Sequence, residues 1–457
     1  MSDMHEVFYR DPHLIVCGML TNPDFEGGMD YSPYHAFDKD GTRLYEHMMG
    51  SDWAWEQATE IARDPKTHGS AFVPIILGSD KTTVSVAMGQ TDYYPLYLSI
   101  GNLYNNLRIF VLAGFLAIAQ TEKRYHDNPG FRRFHRQLFH TSLAHILSSL
   151  CLGMSEPEVV RCANGFHQRV IYGLSPYIAD YPEQVLISCI VTNWCLYGVV
   201  GDVEPFTNDF PHADVYELLS PDLLHQIIKG TFKDHLVHWV STYVRRKHRG
   251  APGKAILDDI DRRIAAAPPF ASLRRFPEGR GFKQWTRDDL KALMKVYLPV
   301  IEGYVPNKML YAIRAFLEFC YIAHCNVILE SSLTELEDAI AQFLEYQTIF
   351  QEEGIQDNFS LPQQHAMNHY PGMIRLFSAP NGLCSSIMEA KHIKAVKEPW
   401  RRSNRNKPLK QILITNQHLD KLTAVLKRRI NERRRGMLDR SQLDAQLKVM
   451  GLSSILY

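Results

Sequence analysis

The sequence predicts an α/β protein whose mixed sheet is interrupted by a large all-helical insertion. Three observations lead there. Apolar runs rich in β-branched and aromatic residues crowd into residues 72–118 with tight connections between them, the pattern of an antiparallel meander feeding a mixed sheet. From about 241 to about 350 the apolar residues instead recur at helical spacing. After a polar loop at 351–364, short apolar pieces return and a loop hands over to a new helix. The helical tract therefore lies between two α/β portions.

In chain order, residues 1–70 read as a lead-in. Turn-formers (Asn22-Pro23-Asp24, Gly27-Gly28, Asp38-Lys39-Asp40-Gly41) leave room for at most a hairpin before residue 50. Ser51 is an N-cap candidate for a helix to about Arg63, which Asp64-Pro65 stops. Residues 71–240 carry the first part of the sheet, with strands expected at 72–86, 93–100 and 109–118. A helix over 131–150 follows, on which Arg132, Arg133, His135, Arg136 and His140 read as a solvated face. Further strands are expected at 168–174, 183–191 and 214–222, the last running straight into a helix at 223–240. Residues 241–360 form the helical insertion, periodic at 291–301, 309–328 and 333–350 and punctuated at Pro268-Pro269, 279–281 and 303–306. Residues 361–425 complete the core with a helix beginning at Ile387, and 426–457 form a basic tail.

Bulk composition narrows the class. Of the 457 residues, 45% are hydrophobic and 22% charged, which is globular rather than disordered. Net charge is zero, so affinity for nucleic acid has to come from a local patch. The eight cysteines are scattered without a C-x-x-C, and the first residues, MSDMHEVFYRDPH, lack an apolar core. The expectation is an intracellular protein with reduced thiols, without leader or membrane span.

The chemistry starts at Gly78-Ser79-Asp80, where the first strand-like run meets a carboxylate. A buried strand is apolar throughout, so an Asp inside one requires a partner, a proton or a metal ion. The plainer alternative is a turn residue in a hairpin. Asp222, at the end of the 214–222 run, and Glu389, near the start of a late helix, occupy similar places, 142 and 167 residues further along in turn. Such a trio suits two-metal phosphodiester chemistry. Hard oxygen ligands hold two Mg²⁺ or Mn²⁺ ions about 4 Å apart, one activating the attacking hydroxyl and one stabilising the leaving oxygen. A chain with 50 acidic residues also offers such a trio by chance. His225 and His392 each follow a carboxylate by three residues. They read either as support for a liganding carboxylate or a substrate phosphate, or as histidines packed on a helix face.

Basic residues gather beside Glu389. Residues 391–435 hold 15 Lys or Arg against 3 acidic residues. They include Lys391, Lys394, Lys397, Arg401, Arg402 and Arg405, then Lys427-Arg428-Arg429 and Arg433-Arg434-Arg435. In a neutral protein this excess points to phosphate contact or a nuclear localisation signal over a merely solvated face, with Trp400 as a base- or sugar-stacking group.

Several strings carry a family resemblance: VPIILGSDKTTVSV, YYPLYLSIGN, RVIYGLSPYIADYPEQ, PFTNDFPHADVYELLSPDLLHQIIKGTFKDHLV, DDIDRRIAAAP, RRFPEGRGFKQWT and APNGLCSSIMEAKHIKAVKEPWRRS. Over about residues 30–425 the chain resembles the Plavaka-type transposases of fungi, in the CACTA-like group of cut-and-paste DNA transposases. The resemblance implies a ribonuclease H-like fold with a helical insertion and a DDE-type centre using Mg²⁺ or Mn²⁺. It also implies DNA as partner, a nuclear location and, for an active enzyme, a homo-oligomer. By motif the carboxylates fall on Asp80, on Asp222 of Asp222-Leu223-Leu224-His225, and on Glu389, with Asp209 as the other option for the second. Relatives carry a C-x-x-C after a Trp; here Trp194-Cys195-Leu196-Tyr197 keeps one Cys. One thiolate makes no tetrahedral zinc site, so no zinc is expected. Amino-terminal zinc fingers are also missing, and the chain reads as a shortened copy, through internal deletion or a misjudged intron boundary. Two functions follow: metal-dependent hydrolysis and strand transfer at transposon ends, or an inert or domesticated remnant that binds DNA.

Overall fold

Residues 71–79 are apolar but for the final Ser79, and all nine are buried, as a strand covered on both faces requires. The computed structural model describes residues 5–85, 91–119, 128–189, 203–268, 274–280 and 285–434. In chain order the strands are β1 (Phe8–Tyr9), β2 (Ala36–Phe37), β3 (Arg43–Tyr45), β4 (Ala71–Ser79), β5 (Thr82–Ser85) and β6 (Thr91–Tyr93). They continue with β7 (Pro95–Ile100), β8 (Val111–Phe115), β9 (Glu158–Arg161), β10 (His167–Ile178) and β11 (Ile328–Leu329). The fold is α/β, with one mixed six-stranded sheet in the order β1-β8-β7-β4-β10-β9.

The expected meander is present: β7 runs antiparallel to β4, and β8 antiparallel to β7. On its other side β4 pairs in parallel with β10, from Ala71↔Val170 to Gly78↔Ile178. Val73, Ile75, Ile76 and Leu77 are fully buried, at roughly 1.5–3 kcal/mol each, which fixes β4 as the sheet's centre. Because β4 and β10 are parallel, the residues after them, Asp80 and Asp180, leave the sheet at the same edge.

Several expectations need correction. Residues 72–86 are two strands: β5 turns away after Asp80 and pairs with β6, and Val86 lies outside the described residues. The lead-in holds a helix, Pro12–Leu20, and the edge strand β1 as well as the β2–β3 hairpin. Residues 181–187 form a helix rather than a strand, capped by Asp180, whose carboxylate accepts the Glu183 N–H, with Pro182 in the first turn. Residues 214–222 form no strand either. They touch β10 through a single parallel bridge, Tyr177↔Leu219. His140 is buried, not solvated: its ring lies 3.0 Å from Cys189 Sγ and accepts the Phe206 N–H. Burial lowers it to about 4.

Beyond Asp222 the chain is helical. A wide-turned π-helical stretch, Leu223–Val237, runs on into His238–Lys247. Helices Ala251–Ala265, Arg287–Ile301, Asn307–Ala323 and Glu330–Tyr346 follow. They share a second hydrophobic core, in which Phe232 packs against Tyr297 and Phe316, and Phe316 against Phe343. This tract is not all-helical, because β11 adds to β3 in a small sheet with the N-terminal hairpin. From Phe377 to Leu413 the chain returns to the first core, that of the six-stranded sheet. No helix among the described residues is long and apolar enough to cross a membrane.

Candidate functional site

The helix Ser386–His392 is seated on β4 at Gly78, where a Cβ would stand 2.7 Å from Met388 Sδ. The missing side chain lets the helix approach and carries Glu389 and His392 over the end of the strand. His392 Nε2 lies 2.8 Å from Asp80 Oδ2, and its Nδ1 lies 3.0 Å from the hydroxyl of Tyr97, the residue opposite Gly78 in β7. With the Tyr97 O–H donating to Nδ1, the ring carries its proton on Nε2 and donates to Asp80.

Asp222 is reached differently. Ser220 hydrogen bonds to the Tyr177 carbonyl on β10, and two residues later Asp222 caps the next helix by accepting the His225 N–H at 3.2 Å. Its side chain is fully buried. Oδ1 also accepts the Ser385 hydroxyl at 2.6 Å, whereas Oδ2 has no hydrogen bond and faces His225 Nδ1 at 3.4 Å. The same imidazole reaches Glu389 Oε1 with Nε2, at 3.3 Å. Burial works against a charge on His225, but the facing carboxylates of Asp222 and Glu389, with Asp180 nearby, outweigh it and raise the ring to about 11. His225 thus joins Asp222 and Glu389, while His392 joins the helix of Glu389 to Asp80.

Two further carboxyl groups belong here that sequence reasoning missed. Asp180 is raised to about 6 by burial, against the pull of the Glu183 N–H and His225, with Asp80 and Asp222 adding to the rise. Glu183 is fully buried and pushed far above the carboxylate range by burial first, then by Asp180 and Asp80. It accepts the Ser79 hydroxyl and the Lys81 N–H, each at 3.0 Å, bracketing Asp80 from both sides in sequence. The missed signal was an apolar strand ending on a carboxylate, which Tyr177-Ile178-Ala179-Asp180 repeats from the first strand.

The three expected carboxylates therefore share one edge of the sheet through their histidine contacts. Among the described residues, no trio of this group has one ligand atom each within 4.8 Å of the others. Asp209 lies elsewhere: it is exposed, its carbonyl accepts the Cys151 thiol, and it lines a hollow with His145 and Phe210. The basic residues after Glu389 differ in access. Lys394, Arg401, Arg402 and Arg405 are exposed, and Lys391 and Lys397 are half-buried. Burial lowers the Lys391 ammonium. Trp400 is half-buried, with the Arg405 guanidinium over its ring, 4.9 Å from the ring centre. The side chains of Lys427, Arg428, Arg429, Arg433 and Arg434, Arg435 itself, and the Trp194-Cys195 segment lie outside the described residues.

A family profile described as Plavaka transposase matches residues 1–197 and 196–240. The chain belongs to the Plavaka transposase family. The two matched stretches meet at 196–197. Asp80, Asp180 and Asp222 fall inside them and Glu389 falls beyond. Among curated proteins no match is found.

Proposed function

We propose that this Plavaka-family chain is a DDE-type DNA transposase on a ribonuclease H-like core with a helical insertion, performing metal-dependent hydrolysis and strand transfer at transposon ends. The observation that carries the reading is the carboxylate cluster where β4 and β10 end side by side. The topology supports the fold assignment: a β4-β7-β8 meander with β10 added in parallel beside β4, and a helical tract with its own core before the chain returns to the sheet.

The residues fit a hard divalent cation. The donors are carboxylate oxygens, and Asp222 Oδ2 is buried without a hydrogen bond. Asp80, Asp222 and Glu389, with Asp180, would hold Mg²⁺ or Mn²⁺. When bound, such ions activate the attacking oxygen and stabilise the leaving one. The rest is the work of the chain. Ser385 orients Asp222, and Tyr97 acting through His392 orients Asp80. Glu183 fixes the turn after β4 by accepting the Ser79 hydroxyl and the Lys81 N–H, and the exposed Lys394, Arg401, Arg402 and Arg405 offer charge for backbone phosphates. Family membership implies DNA as the partner; nuclear location and assembly into a homo-oligomer complete the proposal.

A second reading, a DNA-binding remnant without turnover, draws on the resemblance, whose C-x-x-C segment is reduced here to Trp194-Cys195-Leu196-Tyr197. One experiment separates the two: Mg²⁺- or Mn²⁺-dependent nicking of terminal inverted-repeat DNA, with Asp80→Ala as control. The enzyme reading expects nicking by the native chain and none by the variant. Equal signal from both rules it out, and DNA binding without nicking leaves the remnant.

A further inference from the structure

We propose that His13, Cys17 and Glu158 form a site for a thiophilic divalent metal, zinc above all, that fastens the N-terminal helix to the sheet. The Pro12–Leu20 helix, capped by Asp11, sets His13 and Cys17 one turn apart on a single face. His13 Nε2 and Cys17 Sγ are 3.6 Å apart. Zinc holds nitrogen at about 2.05 Å and sulfur at about 2.3 Å, so two such ligands of one tetrahedral ion stand about 3.6 Å apart. The helix therefore already presents its pair at a chelating separation.

The third ligand comes from far along the chain. Glu158 opens β9 and brings Oε1 to 2.7 Å from His13 Nε2. One ligand atom from each of the three lies within 4.8 Å of the others, and among the described residues no other His, Cys, Asp or Glu trio does so. The 2.7 Å contact is a hydrogen bond. With a metal in place of its proton, the N···O pair opens to about 3.3 Å. On β10 the Tyr172 hydroxyl donates to Glu158 Oε1 and lies 3.8 Å from Cys17 Sγ, so an oxygen already stands beside the trio, and the phenol or a water completes four-coordination.

Chemistry and access agree. The His13 and Glu158 side chains are 30% and 34% exposed, open enough for an ion to enter. Burial pushes the Cys17 thiol up, against the pull of the Tyr172 hydroxyl, so the metal has to displace a proton held more tightly than in a free thiol. Metal binding forms the sulfur–metal bond and releases that thiol proton to water. A thiolate with an imidazole selects zinc over magnesium, which separates this site from the all-oxygen cluster at the end of β4. Its ligands also owe nothing to the Cys195 segment, on which the expectation of no zinc rests.

The test uses the full chain, reduced and stripped with EDTA, and titrated with Co²⁺. The expected result is one equivalent giving tetrahedral d–d bands and a near-ultraviolet thiolate-to-cobalt band, both displaced by Zn²⁺. Cys17→Ser should lose the thiolate band, and Zn²⁺ should raise the thermal midpoint of the native chain but not of this variant. Should Cys17→Ser fail to fold, Glu158→Gln should keep the thiolate band with affinity at least tenfold weaker. No thiolate band in the native chain, a band that survives Cys17→Ser, or unchanged affinity in Glu158→Gln would overturn the proposal. Cobalt held by the carboxylate cluster gives no thiolate band and cannot imitate the result.

Discussion

Replacing Asp180 by asparagine is expected to make the metal-free protein more stable, by an amount that depends on pH. Burial first, then the Asp80 and Asp222 carboxylates, raise this carboxyl from its ordinary 3.8 to about 6. At about 1.4 kcal/mol per decade, that rise corresponds to about 3 kcal/mol. The folded chain holds the proton more tightly than the unfolded chain. Its contribution is therefore fully present below about pH 4 and is lost as pH rises through 6. Above pH 7 the ionised group opposes folding by about 3 kcal/mol. An amide of the same shape removes that opposition while its oxygen still accepts the Glu183 N–H. The variant also strips a carboxylate from around His225, so 3 kcal/mol is the upper figure. Urea unfolding in EDTA, followed by hydrogen exchange at the β4 and β10 amides, should show the gain at pH 7.5 and little of it at pH 4. Millimolar Mg²⁺ should then raise the native chain's midpoint more than the variant's. A variant no more stable than the native chain at pH 7.5, or a gain equal at both pH values, would refute the raised Asp180 carboxyl.

Three other outcomes follow from the same geometry. Gly78→Val should drive a side chain into Met388 and destabilise by about 1–3 kcal/mol; Met388→Ala should relieve part of this in a double-mutant cycle, whereas strict additivity would mean that the Glu389 helix is not seated there. His225 is raised from 6.5 to about 11, so its stabilisation is full below pH 6.5 and lost as pH rises through 11. In EDTA the native chain should lose about 1.4 kcal/mol per pH unit between 7 and 9 relative to His225→Gln, measured by urea midpoints. Neutralising Lys394, Arg401, Arg402 and Arg405 together should weaken DNA binding alike across sequences and flatten the log K against log salt slope by up to about 4; an unchanged slope would put the phosphate contacts elsewhere.

The sheet's centre was legible because β4, β7 and β8 are apolar runs short enough to be strands, although the β5–β6 pair lies between β4 and β7 and ten residues separate β7 from β8. The edge of the site was harder to read, and the reason is local. Ser175-Pro176 looks like the end of a strand, yet β10 continues to Ile178, with Pro176 taken up where the β10–β4 register shifts between Leu174 and Tyr177. Ending the strand early left Asp180 in an apparent loop. The apolar string Val185-Leu186-Ile187 then suggested a strand, although Asp180 as cap and Pro182 in the first turn are helix-start signals. Asp222 was legible as a carboxylate before a helix but not as a neighbour of β10, because a single bridge at Leu219 leaves no period in the sequence. The histidines three residues after Asp222 and Glu389 were visible, but their crossed contacts were not. His225 reaches Glu389 and His392 reaches Asp80, pairings that depend on how the late helix docks at Gly78.

Those crossed contacts bear on why an acidic cluster of this kind can fold before it meets its cation. Ionised carboxylates crowded in a part-buried edge repel one another, and the fold has to offset that charge. An arginine fork would do so permanently, since it does not lose its proton and would occupy carboxylate oxygens in bidentate fashion. Here Asp80, Asp222 and Glu389 contact imidazoles, Asp180 is raised to about 6, and burial pushes the Glu183 carboxyl up as well. Hydrogen bonds from imidazoles and bound protons can be given up when a stronger cation competes for the same oxygens. Under the proposed function this is the arrangement a metal-dependent site requires. In a remnant that only binds DNA, nothing would oppose replacing Asp180 by an amide and keeping the stability gained.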